Sequence, residues 1–326
     1  MFRIIFLTNK KHYLTKMSRV RFHSIKAIFA KEDVEGIYSG PGWENWDTNK
    51  SCNENINKIL GAHNCDLVVA YKPLDPGIIN FKEVKFRKCL RYNEMYDEKW
   101  TMHEITESGA DLVVCHHFND YKKYNLKNLT KPKFEWIPHS AEESIFFRNK
   151  LIPKRYDIGI MGAINITSIL GDHYPLRRRM RGIIEKISDK YTCKVFPHVG
   201  YDHNDAFTDR YAKDFAKDIN SCRIVITDSG KTNSRFAKYV EIPMCGTAIA
   251  GDLYDDHPDD VNNLKKFLIE ISMKMTDEEI INKIRRYLEQ TTLLDSVVSE
   301  GLKYTKSYTQ KDYANRFVNK VLTQNN

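Results

Sequence analysis

The chain has 326 residues, of which 41% are hydrophobic, and a formal net charge of +8. This length exceeds what one hydrophobic core usually supports, so two domains are expected. No stretch approaches the roughly 18 apolar residues of a membrane-spanning helix, and the apolar run at residues 4–7 is too short for the core of a signal peptide. The composition therefore predicts a soluble protein.

The positive charge is spread along the chain and suits an anionic partner without identifying one. A nucleotide diphosphate, an anionic glycan, a membrane surface and a nucleic acid all remain open. The seven cysteines form no CxxC pair and mostly lie in apolar runs. Reduced, buried thiols are the simplest interpretation, which favours a cytoplasmic protein.

Short apolar runs alternate with helical patterns along the first half of the chain. A polar turn at residues 8–11 follows the first run, and helices are predicted at residues 17–30 and 53–60. Continuous apolar strands are typical of parallel sheets that helices cover on both faces. The predicted strands are residues 3–7, 66–70, 85–92, 111–115 and 134–137.

Polar and aromatic residues follow several of these strands. Trp43 ends a loop rich in turn residues, which is either a binding loop or a surface turn closed by a buried ring. Glu94 and Asp97 follow another strand; Asp97 is expected to cap the next helix and Glu94 to lie in a solvated loop. His116 and His117 are adjacent on an extended segment, so their side chains point to opposite faces, and no metal site is predicted.

The second half repeats this architecture after a basic linker at residues 148–155. A strand at residues 157–162 leads into a turn whose glycine spacing does not fit a dinucleotide fingerprint. The next helix carries four arginines, a pattern more often solvated than bound to phosphate. The further predicted elements are strands at 193–196, 223–227 and 248–250, and helices at 208–219, 261–273, 277–288, 293–305 and 312–322.

Residues 231–252, together with the strand end just before them, carry the strongest candidate site. The strand at 223–227 ends in Asp228, Ser229, Gly230 and Lys231. Small residues between a strand and a helix leave backbone N–H groups available to an anion. This segment therefore predicts a phosphate cradle.

Four short motifs, taken together, resemble the group 1 (family 4-like) and spore-maturation-type glycosyltransferases. They are WIPHSA at 136–141, YDIGIMG at 156–162, YPLR at 174–177 and KYVEIPMCGT at 238–247. The resemblance implies an α/β protein of the GT-B class, with two Rossmann-like domains facing across a cleft and helices at the C-terminus. The expected domains are residues 1–150 on the acceptor side and 151–326 on the donor side.

The family's pattern implies roles for individual residues. Its ribose-binding glutamate matches Glu241, whereas its partner glutamate matches Asn233, so the paired motif is incomplete; Asn233, Ser229 or Lys231 would substitute. Glu94, His116 and Lys238 are the catalytic candidates, and Trp43, Tyr71 and Lys72 are expected on the acceptor side. The donor-binding candidates are Gly162, Ser229, Gly230, Lys231, Asn233, Arg235, Tyr239, Glu241, Gly246 and Thr247.

The resemblance implies a glycosyltransferase of glycan biosynthesis, a hexosyl- or pentosyltransferase that moves a sugar from a nucleotide-sugar donor to a hydroxyl acceptor. Retention of configuration is expected, with no cofactor and no metal. Peripheral membrane contact and the oligomeric state stay open. The alternatives are a DNA-binding or DNA-modifying protein and a degenerate homologue that only binds nucleotide sugars. The sequence contains no nucleic-acid-binding signature, which argues against the first of these.

Overall fold

The computed structural model describes residues 1–15, 22–71, 73–127, 129–164, 167–168, 171–198 and 209–323. The chain divides into two compact units. The first takes the described residues of Met1–Pro138, Tyr201–Asp209 and Gln310–Asn326, and the second those of His139–Gly200 and Arg210–Thr309.

The first unit contains a six-stranded parallel sheet in the order β2-β1-β3-β4-β5-β6. Strands β3, β4 and β5 are buried along their whole length. The continuous apolar pattern of β3 and β5 predicts this, whereas β4 also buries Lys88 and Arg91. Strand β2 was not predicted, because its residues are mostly half-buried and include a glycine. The strands are β1 Phe2–Leu7, β2 Val34–Ser39, β3 Leu67–Ala70, β4 Lys88–Tyr92, β5 Leu112–Cys115 and β6 Lys133–Trp136.

Helices connect these strands, and side chains cap several of their starts. The predicted polar turn at residues 8–11 is wrong, because a helix begins at Lys10, where the Asn9 side chain accepts the Lys11 N–H at 3.0 Å. Asp97 accepts the Trp100 N–H at 3.0 Å and caps its helix, as predicted. The helices are α1 Lys10–Thr15, α2 His23–Phe29, α3 Cys52–Leu60, α4 Glu98–Ser108 and α5 Phe118–Asn125.

The second unit contains a five-stranded parallel sheet in the order β10-β7-β11-β12-β13, beside the short antiparallel pair β8-β9. Its central strands β7, β11 and β12 end in buried residues, so the sheet lies at the centre of this unit's core. The strands are β7 Tyr156–Ile160, β8 Thr167–Ser168, β9 Gly171–Asp172, β10 Cys193–Val195, β11 Cys222–Ile226, β12 Ala248–Gly251 and β13 Leu268–Glu270.

The predicted helix at residues 261–273 is wrong. The helix there ends at Leu264, and Leu268–Glu270 instead forms β13, which pairs with β12. A short apolar run fits either a buried helix or a buried strand, and here the open edge of β12 decides for the strand. The helices of this unit are α6 Pro175–Glu185, α7 Arg210–Asn220, α8 Lys238–Met244, α9 Pro258–Leu264, α10 Asp277–Glu289 and α11 Thr291–Thr305.

The last described helix, α12 (Gln310–Phe317), continues into a π-helical turn at Val318–Leu322. Its buried side chains Tyr313 and Phe317 share a hydrophobic cluster with Ile4 and Phe6 of β1. The C-terminal residues therefore belong to the first unit, whereas the sequence placed all of 151–326 in the second domain.

Two further findings concern the chain as a whole. All seven cysteines are free thiols, six of them buried and Cys193 half-buried. Within the part of the chain that the structure describes, no helix has the length and apolar character needed to cross a membrane.

Candidate active site

Residues that follow three neighbouring strands lie together at the carboxyl edge of the second sheet. Gly162 follows β7, Asp228 and Ser229 follow β11, and Asp252 follows β12. Helices α6 and α8 come next in the chain after the loops that leave this edge. In open parallel sheets, ligands bind in the crevice outside these strand ends.

Arg177 of α6 forms a buried ion pair with Asp228. Its Nη2 donates to Asp228 Oδ1 at 2.6 Å, its backbone N–H donates to Oδ2 at 3.1 Å, and Nη1 donates to the Ala163 carbonyl at 2.6 Å. Both side chains are 1% exposed. Burial raises the pKa of Asp228 and repulsion by Asp252 adds to it, while Arg177 lowers it. This pair ties the end of β11 to the start of α6.

Gly162 allows two cationic side chains to approach the end of β7. Its φ is +96°, and a Cβ built there would lie 2.7 Å from Arg177 Nη1 and 2.8 Å from Lys238 Cε. Any larger residue would displace these side chains, so the position requires glycine. Lys238 Nζ lies 3.2 Å from the same point. The cation predicted from the sequence, Lys238, therefore converges here with Arg177.

Asp252 holds the loop that begins at Ser229. Its carboxylate accepts the Ser229 N–H at 2.7 Å and the Ser229 hydroxyl at 2.6 Å. The Tyr239 hydroxyl donates to Asp252 Oδ1 at 2.9 Å and to its carbonyl at 2.8 Å. Tyr239 is fully buried, and burial raises the pKa of its hydroxyl well above the ordinary value, so it remains a donor. Asp252 thus fixes both Ser229 and Tyr239.

The rest of this loop turns tightly and presents its last residues to solvent. Gly230 has φ +63°, and the Lys231 N–H donates to the His173 carbonyl at 2.9 Å. Asn233 has φ +50°, a left-handed conformation that asparagine tolerates better than most residues. Lys231 and Asn233 are exposed. The predicted cradle is therefore a fixed turn with an exposed cation and an exposed amide.

Glu241 lies on the first turn of α8 and is 2% exposed. The alternative to a ribose-binding role, an ion pair with Lys238, would at this burial not be a solvated surface pair. The Glu241 carboxylate lies near Cys245, whose pKa it raises after the larger effect of burial. Glu241 is thus a buried acid one turn after Lys238.

Three other residues that were predicted to bind the donor instead contact other parts of the protein or lie away from this edge. Arg235 is 1% exposed, donates to Asp260 Oδ2 at 3.0 Å and packs 4.1 Å above the Tyr308 ring. Gly246 and Thr247 precede β12 and so lie at the amino edge of the sheet. The Thr247 hydroxyl donates to the Ile219 carbonyl at 2.9 Å. The structure therefore does not bring these three together with Gly162 and Lys238.

The acceptor-side candidates lie in the first unit, at or after the carboxyl ends of its strands. Trp43 donates to the Thr8 carbonyl at 2.9 Å and stacks on Tyr38 with ring centroids 5.6 Å apart, so its ring packs in an aromatic cluster. Tyr71 and Glu94 are half-buried. Lys72 lies outside the described residues.

His116 is buried rather than accessible. It is 2% exposed, and its Nδ1 lies 2.9 Å from the Ile137 carbonyl, to which it donates. Burial lowers the pKa of His116 well below 6.5, so the imidazole is neutral at pH 7. His117 packs separately, with Nδ1 3.5 Å from Asp120 Oδ2. Over the described residues, no group of three or more His, Cys, Asp or Glu side chains could hold a metal ion.

Sequence reasoning did not select Arg177, Asp228 or Asp252 as site residues. Asp228 and Asp252 each follow a buried strand directly, which was the available signal. Arg177 was hidden among four arginines of one helix, and only burial separates it from the others.

No protein-family model and no curated protein matches the sequence. Solved structures match along nearly the whole chain. HepE of Anabaena, solved with UDP and glucose, has a TM-score of 0.62 at 10% identity and covers 99% of this chain and 100% of its own. Sucrose-phosphate synthase from Thermosynechococcus elongatus has a TM-score of 0.61 at 10% identity and covers 98% of both chains.

A third similar structure is an alpha-glucosyltransferase in complex with UDP-glucose and DNA containing an abasic site. Its TM-score is 0.61 at 10% identity, over 99% of both chains. All three are glycosyltransferases of the GT-B class. The chain therefore has the GT-B fold, as its sequence predicts.

Proposed function

We propose that this protein is a glycosyltransferase that transfers a sugar from a nucleotide-sugar donor to a hydroxyl acceptor. One observation carries the proposal: Lys238 and Arg177 converge over Gly162 at the carboxyl edge of the second parallel sheet. A lysine ammonium at such an edge suits the diphosphate of a nucleotide. The fold shared with glycosyltransferases supports the same reading.

In this proposal, Lys238 binds the donor diphosphate and stabilises the charge that develops on the departing nucleotide. Arg177 is already hydrogen-bonded to Asp228, which compensates its charge, so its role is to position the end of β11. The loop from Ser229 to Asn233 contacts the donor sugar and phosphates through its exposed end. Glu241 accepts hydrogen bonds from the ribose hydroxyls, the charge-assisted kind that a carboxylate provides.

The donor base is proposed to be uracil, because HepE was solved with UDP and the alpha-glucosyltransferase with UDP-glucose. Metal independence and retention of configuration are part of the proposal, since lysine and arginine can supply the charge that a metal ion would otherwise provide. Trp43, Tyr71, Lys72, Glu94 and His116 remain the acceptor-side and catalytic candidates of the first unit.

The test is a thermal-shift panel of UDP-, GDP-, ADP- and TDP-sugars, with and without EDTA. At about 100 times its Kd, a ligand adds about 2.7 kcal/mol to the free energy of unfolding. We expect a UDP-sugar to raise the Tm with EDTA present. Glu241→Gln and Lys238→Gln should remove this shift, whereas Lys265→Gln, an exposed charge change directly after α9, should retain it.

Two outcomes would overturn the proposal. If no nucleotide sugar raises the Tm, the site does not bind a donor. If Lys238→Gln responds to the donor like the unchanged protein, the diphosphate does not bind over Gly162. Stabilisation without hydrolysis or transfer to any acceptor would instead favour a homologue that only binds nucleotide sugars.

A second candidate is sugar transfer onto DNA. The net charge of +8 and the similar fold of a glucosyltransferase solved with DNA favour it. DNA binding would weaken steeply with salt, because binding releases condensed counterions. A gel-shift series from low to physiological salt tests this candidate, and binding that is absent at low salt rejects it.

A further inference from the structure

The segment 121–133 of the first unit concentrates positive charge on the surface. It contains five lysines and no acidic residue. All five lysines are exposed: Lys122, Lys123, Lys127, Lys131 and Lys133. Glu98 pairs with Lys123 at 2.8 Å and with Lys127 at 2.5 Å, and Asp111 pairs with Lys131 at 2.9 Å. The segment itself contributes five positive charges and no negative one to this surface.

The same segment also exposes large apolar side chains. Leu126 is 78% exposed and Leu129 is 36% exposed. Leu126 directly follows α5 and lies two positions after Tyr124, which is fully buried and stacks on Phe134 with ring centroids 5.8 Å apart. The buried tyrosine anchors the helix end, so Leu126 is held at the surface.

Exposed leucines among lysines fit one kind of partner. Apolar side chains gain free energy by entering the boundary between lipid headgroups and acyl chains, while lysines keep their ammonium groups in the headgroup layer. Anionic lipids attract each nearby lysine. Within the segment itself neither tyrosine offers an exposed ring for stacking on single-stranded nucleic acid, because Tyr124 is buried and Tyr121 is half-buried against Phe118.

We propose that the 121–133 surface docks this protein onto an anionic lipid bilayer. The proposal is independent of the donor site, which lies in the other unit. It predicts two separable contributions, electrostatic attraction through the lysines and apolar insertion through Leu126 and Leu129.

The test is co-sedimentation of the full chain with two kinds of vesicle, pure phosphatidylcholine and an equal mixture of phosphatidylcholine and phosphatidylglycerol. We expect binding to the anionic vesicles only, and loss of binding at 1 M salt, where the Debye length is about 3 Å. Joint replacement Leu126→Ser and Leu129→Ser should weaken binding about tenfold. Lys122→Gln with Lys133→Gln should weaken it by about the same factor.

The matched control is Lys265→Gln with Lys266→Gln, two exposed lysines of the second unit, which makes the same change in net charge. This control should bind like the unchanged protein, and all variants should keep its Tm because the altered side chains are exposed. Absence of binding to anionic vesicles would overturn the proposal, and so would an equal loss in the control. Binding that survives the leucine changes and is displaced by heparin would assign the surface to a polyanion instead.

Discussion

Two arginines of α6 have very different surroundings although they are two positions apart. Arg177 is 1% exposed and pairs with Asp228, which is equally buried. Arg179 pairs with Asp277 at 2.7 Å, but these side chains are 23% and 37% exposed. Removing one partner of a buried pair leaves an uncompensated charge, whereas a solvated pair contributes little.

We therefore predict that Arg177→Met lowers the free energy of unfolding by about 3–5 kcal/mol. The matched variant Arg179→Met should lower it by less than about 1 kcal/mol. Urea denaturation followed by circular dichroism measures both. Equal losses in the two variants would show that burial of the Arg177–Asp228 pair does not determine how much this pair contributes to the free energy of unfolding.

His116 predicts a pH dependence of stability. Its folded-state pKa lies well below 6.5, so below about pH 6.5 the unfolded chain binds a proton that the folded chain does not. Stability is therefore greatest above this pH and falls as the pH drops. Replacing His116 by Gln should flatten this slope in the free energy of unfolding measured from pH 7 downward. An unchanged slope would contradict the prediction.

Helix starts show how local sequence controls an element. Thr276 and Glu279 form a capping box at the start of α10: the Glu279 N–H donates to the Thr276 hydroxyl at 3.2 Å, and the Thr276 N–H donates to Glu279 Oε2 at 2.7 Å. Ser51 and Glu54 do the same for α3. Both boxes can be read from the sequence as S/T-x-x-E.

We predict that Thr276→Ala lowers the free energy of unfolding by about 1 kcal/mol. The Glu279 N–H loses the Thr276 hydroxyl as its acceptor, and the reciprocal arrangement of the capping box is broken. Thr292→Ala, an exposed change of the same type within α11, should have little effect. Thermal unfolding of both variants provides the comparison. A loss in Thr292→Ala as large as in Thr276→Ala would mean that the cap is not the cause.

Where the sequence pattern does not identify a strand clearly, pairing with a neighbouring strand decides which element forms. The run around Leu268 to Ile271 is short and apolar, and the sequence predicted a helix there. In the structure, Ile249 pairs with Leu268 and Gly251 with Glu270, which satisfies the backbone groups on the facing edges of the two strands. The same applies to β2, which pairs with β1 although its residues are only half-buried.

The burial and the pKa values of the thiols predict how fast the folded protein reacts with a thiol reagent. Burial raises the pKa of Cys52, Cys89 and Cys222 to about 12, and that of the half-buried Cys193 to about 11. Because the thiolate is the reactive form, native protein should react slowly with a thiol reagent, Cys193 first. All seven thiols should react in denaturant, and Cys193→Ser should remove the first native phase. Rapid labelling of several native thiols would contradict this.

The sequence by itself determined the class of fold and the edge on which the candidate site lies. Continuous apolar strands require helices on both faces, and Ser229 and Lys238 follow from strand ends and helix starts without any long-range information. The Asp97 cap and the buried cysteines were determined in the same local way.

Only the tertiary structure decided which polar residues act together. Arg177 and Asp228 are 51 positions apart and Ser229 and Asp252 are 23 apart, so no local pattern joins them. Arg235 and Thr247 lie within the same sequence segment as Lys238, yet they bond to Asp260 and Ile219. Such partners depend on strand order and burial, which emerge when separate parts of the chain pack together. For the same reason, residues from Gln310 onward joined the first unit, because their apolar face packs against β1.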